Sequence, residues 1–320
     1  MTLKPVINMY VKWINRNMCN RKLQLKVGLN TDTIPFSQEG DCVPGGIYYC
    51  DAKDIMRWKD IGYSYLCTVE VPDDAQTVKF KYKYRSDKLI IIDTPVPFQE
   101  HKMWKDIDIC KLIVKQNGIL LKYIDVQTEE ICKLAVKHKE YALKYVMDQT
   151  KEICKLAVNQ HGSALHYVNV QTDEICKLAV LRHGLALYYV KVQTDEICKL
   201  AVNQNGYALQ YVMDQTDEIC KLALKQHGSA LQYVNVQTDE ICKLAVNQNG
   251  YALKYVNLQT DEICKLAVQL YGDTLQYVNV QTYEICKMAV QQDYMAFKHV
   301  KHKTSFIIKL LFLYKTFIFI

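Results

Sequence analysis

The sequence has 320 residues and a formal net charge of +6; 50% of its residues are hydrophobic and 23% are charged, which excludes an intrinsically disordered chain. The charge is uneven, because residues 1–105 have a net charge of +4 and residues 106–297 a net charge of −3. The long acidic region lacks the basic stripe typical of nucleic-acid binding, so we expect no nucleic-acid partner.

Residues 1–104 show no internal repeat, and we predict that they form a small α+β domain. Apolar and basic residues alternate from 78 to 85, which predicts a half-buried strand with one solvated, charged face. A second, more buried strand is predicted over residues 89–92, and a short helix over residues 51–61. The Pro-Gly-Gly sequence at residues 44–46 marks a tight turn.

No catalytic or ligand-binding motif stands out in this region. The two glycines of the turn are too few for a phosphate-binding loop, and neither GxxxxGK[ST] nor GxGxxG occurs. Cys42 and Cys50 flank the turn, but no further Cys or His completes a metal site with them. We therefore expect no enzyme activity, no catalytic residue, no cofactor and no metal. The alternative is a catalytic domain whose pocket converges on Tyr48, Tyr49 and Asp51.

Nearly the same sequence recurs every 22 residues across residues 105–302, and each copy carries one Cys. A fixed period in this range is typical of a solenoid, in which each unit buries its apolar face against its neighbours. We predict a mainly α fold, an α-solenoid of about nine 22-residue helix-turn-helix repeats, preceded by the small α+β domain. The repeated cysteines are Cys110, Cys132, Cys154, Cys176, Cys198, Cys220, Cys242, Cys264 and Cys286.

One copy, which begins at Gln171, shows how a repeat is expected to fold. The sequence ICKLAV at residues 175–180 places five apolar side chains on an arc of about 200° around a helix. Thr172 is the predicted N-cap, and the two acidic residues after it oppose the positive end of the helix dipole. Gly184 is predicted to end this helix in the left-handed conformation. A second, shorter helix follows, so the unit has helices of about 11 and 7 residues.

Three roles are open to the repeated cysteines: metal ligation, disulfide formation, and burial as a small apolar side chain. A zinc site needs four convergent ligands, typically with a close CxxC pair, and the sequence contains no CxxC. Equivalent positions on stacked helices lie about 8–10 Å apart, which is too far for a disulfide. We therefore predict that these cysteines are buried and chemically inert.

Two positions in each copy vary and are predicted to contact a partner. The first follows the turn Gly, and the second lies on the outward side of the second helix. They could bind a protein, or their variation could be neutral drift on a solvated surface. The candidate partner-binding residues are Tyr141, Ser163, Leu185, Tyr207, Ser229 and Tyr251 in the first position, and Lys144, His166, Tyr188, Gln210, Gln232 and Lys254 in the second.

An apolar tail is predicted for residues 303–320, and residues 305–320 (SFIIKLLFLYKTFIFI) are the most apolar stretch of the chain. A helix of these 16 residues would be about 24 Å long. A helix that crosses a membrane needs about 20 residues, so this one would be too short. Three alternatives stay open: a hydrophobic cap on the last repeat, membrane contact through residues 305–320, and an extension without selected structure.

The repeat sequence ICKLAVxQNGxALxYV resembles the short helical repeats of unknown function in Mimivirus-type giant DNA viruses, and residues 205–211 (NGYALQY) match that pattern closely. The segments GLNTDTIPF, CVPGGIYYCDAKDI, VPDD and SDKLIII, between residues 28 and 92, resemble a leader domain at the start of repeat proteins from such viruses. The resemblance covers nearly the whole chain. It implies no activity, because these families have none assigned.

We therefore expect a non-enzymatic repeat protein of a giant DNA virus, a scaffold for protein–protein interaction in the infected host cell. Its partner is an unidentified protein, and we expect the chain to be a monomer. An odd number of cysteines, 13, and the lack of a secretory signal in residues 1–10 favour the host cytoplasm, with virion or membrane association as alternatives. The alternative functions are an N-terminal catalytic domain that the repeats target, and a membrane-associated protein anchored by the tail.

Overall fold

The chain divides into two compact units, residues 1–149 and residues 150–320. The first unit contains an antiparallel β-sheet followed by helices, and the second contains a run of helical repeats. The computed structural model describes residues 9–20, 23–40, 43–61 and 64–302.

Short strands build the sheet of the first unit. They are β1 (Tyr10–Ile14), β2 (Cys19–Asn20), β3 (Leu23–Gln24), β4 (Gly28–Thr31), β5 (Ile47–Asp51), β6 (Tyr65–Glu70), β7 (Thr77–Lys79), β8 (Tyr84–Ser86), β9 (Lys88–Ile91) and β10 (Val96–Pro97). Their order is β4-β9-β6-β1-β5-β8-β7, with β10 paired to β6 and with β2 and β3 in a separate ribbon. Branched and aromatic side chains on these strands build the core. Its buried members are Ile14, Leu25, Ile47, Tyr49, Cys67, Val69, Leu89 and Ile91.

The segment predicted as one strand over residues 78–85 is a hairpin. Its arms are β7 and β8, and the Phe80 N–H donates to the Lys83 carbonyl across the turn at 2.8 Å. The predicted solvated, charged face is wrong for Lys83 and Arg85, which are buried. Because the turn interrupts the alternation, both cations lie among aromatic rings, and the Lys83 ammonium is 5.0 Å from the Tyr48 ring centroid.

The other elements predicted in this region are present. The short helix is a 3-10 helix over Ala52–Ile61, and the second strand is β9. At the predicted turn Gly45 and Gly46 have φ angles of 84° and 91°, in the left-handed region. A Cβ on Gly46 would also lie 2.6 Å from Cγ of Arg85. Both the conformation and the space therefore require Gly at this position.

Helix–turn repeats form a regular run from residue 129 to residue 292, which confirms that part of the prediction. The α-helices are α1 (Ile107–Gln116), α2 (Glu129–His138), α3 (Lys151–Gln160), α4 (Asp173–Arg182), α5 (Asp195–Gln204), α6 (Asp217–Gln226), α7 (Asp239–Gln248), α8 (Asp261–Leu270) and α9 (Tyr283–Gln292). Each is followed by a 3-10 helix: Gly118–Tyr123, Glu140–Tyr145, Gly162–Tyr167, Gly184–Tyr189, Gly206–Tyr211, Gly228–Tyr233, Gly250–Tyr255, Gly272–Tyr277 and Tyr294–His299. Their lengths, ten and six residues, are close to the predicted 11 and 7.

The α-helices begin at the predicted Thr caps. In α4 the Thr172 hydroxyl accepts a hydrogen bond from the Ile175 N–H at 3.4 Å, and the Thr172 carbonyl accepts one from the Cys176 N–H at 3.0 Å. An equivalent Thr caps each helix from α2 to α9, and Asp106 caps α1. The cap supplies an acceptor for an N–H that has no partner within the helix.

The Gly after the α-helix has a different role from the predicted one. His183 ends α4 in an extended conformation with φ −154°, and no repeat Gly among the described residues has a positive φ. The left-handed helix end predicted at Gly184 is therefore wrong. A Cβ on Gly184 would lie 2.5 Å from the Ala201 carbonyl oxygen of the next repeat. Gly is required because the next α-helix approaches its backbone closely.

Repeats of the second unit bury their apolar residues against their sequence neighbours. From α4 to α9, each α-helix contacts the previous one and the 3-10 helices on either side of it. In the copy that contains α4, the buried hydrophobic residues are Ile175, Cys176, Ala179, Val180, Ala186, Leu187 and Val190. Burial of a large apolar side chain gives about 1.5–3 kcal/mol. Neighbouring copies supply the partners for these contacts, which one copy alone lacks.

Candidate interaction surface

The 3-10 helices bring the two variable positions of each repeat onto one side. With three residues per turn, residues three apart eclipse one another, so Leu185 and Tyr188 share a face. The first position is half-buried and the second is exposed. We define the 3-10 face by the pairs of the second unit: Ser163 with His166, Leu185 with Tyr188, Tyr207 with Gln210, Ser229 with Gln232, and Tyr251 with Lys254. The pair Tyr141 with Lys144 belongs to the first unit.

First-position side chains of the second unit contact the next repeat. The Tyr207 and His227 rings lie 4.7 Å apart between centroids. The Tyr251 ring stacks on Tyr271 at 5.1 Å, and its hydroxyl donates to the Asp273 carboxylate at 2.9 Å. That hydrogen bond raises the pKa of Tyr251. These residues therefore join neighbouring repeats as well as lining the surface.

Second-position side chains lie over a row of half-buried tyrosines. The ammonium groups of Lys144 and Lys254 are 4.7 and 4.6 Å from the ring centroids of the tyrosines that follow them. The rings of His166 and Tyr188 each lie 5.1 Å from the corresponding tyrosine of the next repeat. The 3-10 face of the second unit thus presents cations, amides and aromatic rings side by side.

A Gln before each Thr cap links successive repeats, and sequence reasoning missed its role. The Gln171 amide nitrogen donates to the Leu165 carbonyl at 3.3 Å and to the Tyr189 carbonyl at 2.8 Å. Its oxygen accepts a hydrogen bond from the Lys191 N–H at 2.9 Å. Equivalent bonds are made by Gln127, Gln193, Gln215, Gln237, Gln259 and Gln281. The signal was present in the sequence, because Gln holds this position in every copy from residue 127 onward.

The repeated cysteines are buried, as predicted. The Cys176 Sγ lies 3.7 Å from the Gln171 amide oxygen, within reach of a weak S–H hydrogen bond. Burial raises the pKa of the Cys110 thiol to about 12 and that of the Cys264 thiol to about 11. The cysteines that the structure describes are free thiols, and Cys42 lies outside the described residues. A protonated, buried thiol is a poor nucleophile.

The exposed side of the α-helices carries a ladder of ion pairs. The Lys177 ammonium lies 2.8 Å from the Asp173 carboxylate of its own helix and 2.6 Å from the Glu196 carboxylate of the next. We call these groups and their equivalents the charge ladder. The other members with both partners are centred on Lys199, Lys221, Lys243 and Lys265. Each Lys stands against two carboxylates, so the ladder is net negative.

Aliphatic side chains also recur on the surface, in the loop that precedes an α-helix. We define the aliphatic row as Val170, Val192, Met213, Val236, Leu258 and Val280, whose side chains are 67–80% exposed. In one copy Asp214 holds the equivalent position, and the exposed apolar residue is Met213 before it. Single exposed apolar residues are ordinary on a protein surface, and here they recur once in each copy. Sequence reasoning missed it because this loop was interpreted only as a connection.

An open pocket of about 570 Å³ lies in the first unit, beside the 3-10 helix Ala52–Ile61 and the β7–β8 hairpin. Asp51 lines this pocket, whereas Tyr48 and Tyr49 do not. The Tyr49 hydroxyl accepts a hydrogen bond from Ser86 in the core, and burial raises its pKa. Of the three residues in the predicted catalytic pocket, only Asp51 therefore lines this pocket.

Within residues 9–20, 23–40, 43–61 and 64–302, no group of three or more His, Cys, Asp or Glu side chains is placed to hold a metal ion. No helix among these residues has the length and apolar character that crossing a bilayer requires. The tail predicted over residues 303–320 lies outside the described residues.

Comparisons with known proteins place the repeats beside families without an assigned activity. A family model described as Domain of unknown function (DUF4116) matches residues 194–238, 216–260 and 238–281, and successive matches begin 22 residues apart. Over 116 residues the chain is 29% identical to Uncharacterized protein R869 of Acanthamoeba polyphaga mimivirus, which covers 35% of this chain and 83% of that protein. No solved structure matches the chain. The chain is therefore similar to a giant-virus protein of unknown function.

Proposed function

We propose that the chain is a non-enzymatic repeat protein, an α-solenoid that binds a partner protein through its 3-10 face in the cell infected by a giant DNA virus. The observation that carries this proposal is that invariant and variable side chains lie at different places: the invariant ones bond to backbone, and the variable ones lie on one face. Invariant Gln side chains form hydrogen bonds to the backbone of the next repeat, and invariant Thr side chains cap the helices of their own repeats. The variable positions share one face of successive 3-10 helices.

The side chains of this face suit a protein partner. Tyr is among the residues that dominate binding energy at protein interfaces, and Tyr188 is largely exposed. Lys254 and His166 add groups that pair with carboxylates. We therefore expect the bound surface of the partner to combine carboxylates with apolar side chains.

We further propose that the chain acts as a monomer in the host cytoplasm and binds no nucleic acid. Support for a monomer is that the repeats of the second unit bury their apolar faces within one chain. Support for a protein rather than a nucleic-acid partner is the net negative charge ladder, which repels phosphate.

Quantitative capture of partners by the full chain tests the proposal. We expect the triple variant Tyr188→Ala, Gln210→Ala and Gln232→Ala to capture at least about tenfold less partner than the unchanged chain. The reason is that truncation of a hot-spot residue lowers the binding free energy by about 2 kcal/mol or more. The measurement is label-based mass spectrometry of proteins captured from infected cells.

The matched control is Lys199→Gln with Lys221→Gln, which changes half-buried residues of the charge ladder and leaves the 3-10 face intact. Both proteins are first checked for unchanged thermal unfolding. Equal loss of partner in both, or full retention by the triple variant, would contradict the proposal.

A further inference from the structure

We propose that the open pocket of the first unit binds a small phosphate ester, in which a phosphate group is attached to a planar ring. Sites for small molecules are concave and have volumes of about 300–1,000 Å³. This pocket has about 570 Å³ and lies between the 3-10 helix Ala52–Ile61 and the β7–β8 hairpin. The inference does not depend on any partner at the 3-10 face.

Cations outnumber carboxylates in the lining of this pocket. The charged lining residues are Lys53, Arg57, Lys79, Lys81, Asp51 and Asp54. The Asp51 carboxylate accepts a hydrogen bond from the Tyr84 hydroxyl at 3.2 Å and lies 4.0 Å from the Lys53 ammonium. The Asp54 carboxylate lies 3.4 Å from Nε of Arg57. Both carboxylates thus have a cation of their own, which leaves two cations of the lining for a ligand.

Lys79 and Lys81 are these two cations. Among the residues that the structure describes, neither ammonium group forms an ion pair. The Lys79 ammonium lies 5.6 Å from the Tyr84 ring centroid, and the Lys81 ammonium lies 5.2 Å from the Tyr82 ring centroid. A ring face orients an ammonium group without neutralising its charge. The oxygens of a phosphate group accept charge-assisted hydrogen bonds from such cations.

Two buried cations lie behind the Phe80 side chain, which also lines the pocket. The Lys83 ammonium is 5.4 Å and the Arg85 guanidinium 5.9 Å from the Phe80 ring centroid. The Arg85 guanidinium donates to two neutral backbone carbonyls, and its Nε has no hydrogen-bond partner among the described residues. Solvent screens a buried charge only weakly, so Arg85 adds a positive potential that favours an anion in the pocket.

Aromatic side chains in the lining favour a phosphate that carries a ring. Phe80, Tyr82 and Tyr84 are half-buried and give apolar surface for a planar group. The Arg57 guanidinium lies 3.9 Å from the Tyr82 ring centroid, and a guanidinium plane also stacks on rings. Inorganic phosphate would use the cations alone. We therefore expect the ester to bind more tightly than inorganic phosphate.

Isothermal titration calorimetry of the full chain with adenosine monophosphate tests the proposal. The pocket variant is Lys79→Gln with Lys81→Gln. The control variant is Lys105→Gln with Lys122→Gln, which removes the same charge from exposed residues of the first unit that do not line the pocket. Lys122 is a matched choice because its ammonium also lies over a ring, 4.7 Å from the Tyr123 centroid. We expect affinity at least about tenfold weaker in the pocket variant and unchanged affinity in the control.

A second measurement leaves every side chain in place. Sulfosuccinimidyl acetate acetylates accessible lysines, and peptide mass spectrometry gives the rate at each one. With adenosine monophosphate present, we expect acetylation at Lys79 and Lys81 to slow at least about threefold and acetylation at Lys105 and Lys122 to stay unchanged.

Several results would overturn the proposal. They are no binding of adenosine monophosphate in the millimolar range, equal loss of affinity in the two variants, and unchanged acetylation at Lys79 and Lys81. Equally tight binding of inorganic phosphate would overturn it in favour of free phosphate, and equally tight binding of adenosine would show that the phosphate group is not recognised. Binding of a single-stranded oligonucleotide without binding of adenosine monophosphate would overturn it in favour of a nucleic acid.

Discussion

At the residue scale, one backbone contact determines which side chain each repeat can carry at its turn. The Ala201 carbonyl oxygen occupies the place that a Cβ of residue 184 would need. The Gly184 N–H also donates to the Gln204 side chain of the next repeat at 2.6 Å. Gly184 is thus held from two sides by the following copy, and its lack of a side chain is a packing requirement.

Replacing Gly184 with Ala should destabilise the protein, although Ala is the better helix former. The added Cβ must displace the Ala201 carbonyl and the helix that carries it, and overpacking of this kind costs about 1–3 kcal/mol. The measurement is the urea midpoint of the second unit followed by circular dichroism. The control Gln210→Ala changes an exposed residue, so its midpoint should stay close to that of the unchanged chain. If the urea midpoint of Gly184→Ala equals that of Gln210→Ala, the Ala201 carbonyl moves away from the added Cβ without a measurable loss of stability.

The buried thiols should resist alkylation in the folded protein. A pKa of about 11 for Cys264 leaves about one thiolate in a thousand at pH 8, and burial blocks access as well. Cys19 is only partly buried and serves as the reactive control. We expect iodoacetamide at pH 8 to modify Cys19 first and Cys264 only after unfolding in urea, as read by peptide mass spectrometry. Similar rates for the two thiols in the folded state would disprove their assignment as inert core residues.

At the scale of elements, the Gln before the Thr cap joins one 3-10 helix to the next. Backbone groups in these short helices and loops lack partners within their own element. Gln215 supplies them: it donates to the carbonyls of Leu209 and Tyr233 and accepts from the Asn235 N–H. One side chain thereby satisfies three backbone groups of two neighbouring copies.

Gln215→Leu keeps most of the side-chain volume and removes all three bonds. Part-buried carbonyls and an N–H then lose their partners, which should cost about 2–3 kcal/mol. Hydrogen exchange should show faster exchange at the Asn235 amide, together with a lower urea midpoint. Gln226→Leu, at an exposed residue of α6, is the matched control and should change neither quantity. An unchanged rate at Asn235 would mean that the bond is not maintained in solution.

Patterns among residues close together in the sequence predicted these elements. Contacts between residues far apart in the sequence could not be predicted in this way. Thr172 was identified as a cap because capping depends on residues within one turn. Gly184 was identified as important for the wrong reason, because its constraint comes from Ala201, 17 residues later. The alternation over residues 78–85 continues through the turn at Phe80, so the pattern hid a chain reversal and the burial of Arg85.

The candidate surface was predictable only in part. Variation between copies pointed to the positions of Leu185 and Tyr188. The eclipsed geometry that unites them depends on the 3-10 conformation, which periodicity alone did not reveal. The residues of the aliphatic row, such as Val192, were interpreted as ordinary loop residues, because the sequence alone does not show which apolar side chains stay exposed in the folded chain.

At the scale of the whole molecule, stability is distributed along the repeats. In an array of this kind each copy is stabilised mainly by its own folding and by contacts with the copies beside it. A local fault should therefore open a segment and leave distant parts folded.

Leu178→Pro tests this expectation in α4. Proline removes a helix hydrogen bond and clashes with the preceding turn, which costs about 3 kcal/mol or more. Hydrogen exchange should rise strongly in α4 and less in α3 and α5, while β1 and β6 keep their protection. Leu178→Met is the matched control, because it nearly conserves volume and permits the helix. Loss of protection throughout the chain would show that the repeats unfold as one cooperative block.

The spacing of the contacts between repeats has a consequence for how such a chain can change its length. Gly184 contacts a residue 17 positions later, Gln171 bonds to residues 18 and 20 positions later, and Lys177 pairs with one 19 positions later. All of these reach only the next copy. Among copies that carry the same residues at these positions, duplication or deletion of one 22-residue copy therefore restores every such contact at the new junction. Gene rearrangement can lengthen or shorten the 3-10 face by one pair of side chains at a time without redesigning the fold.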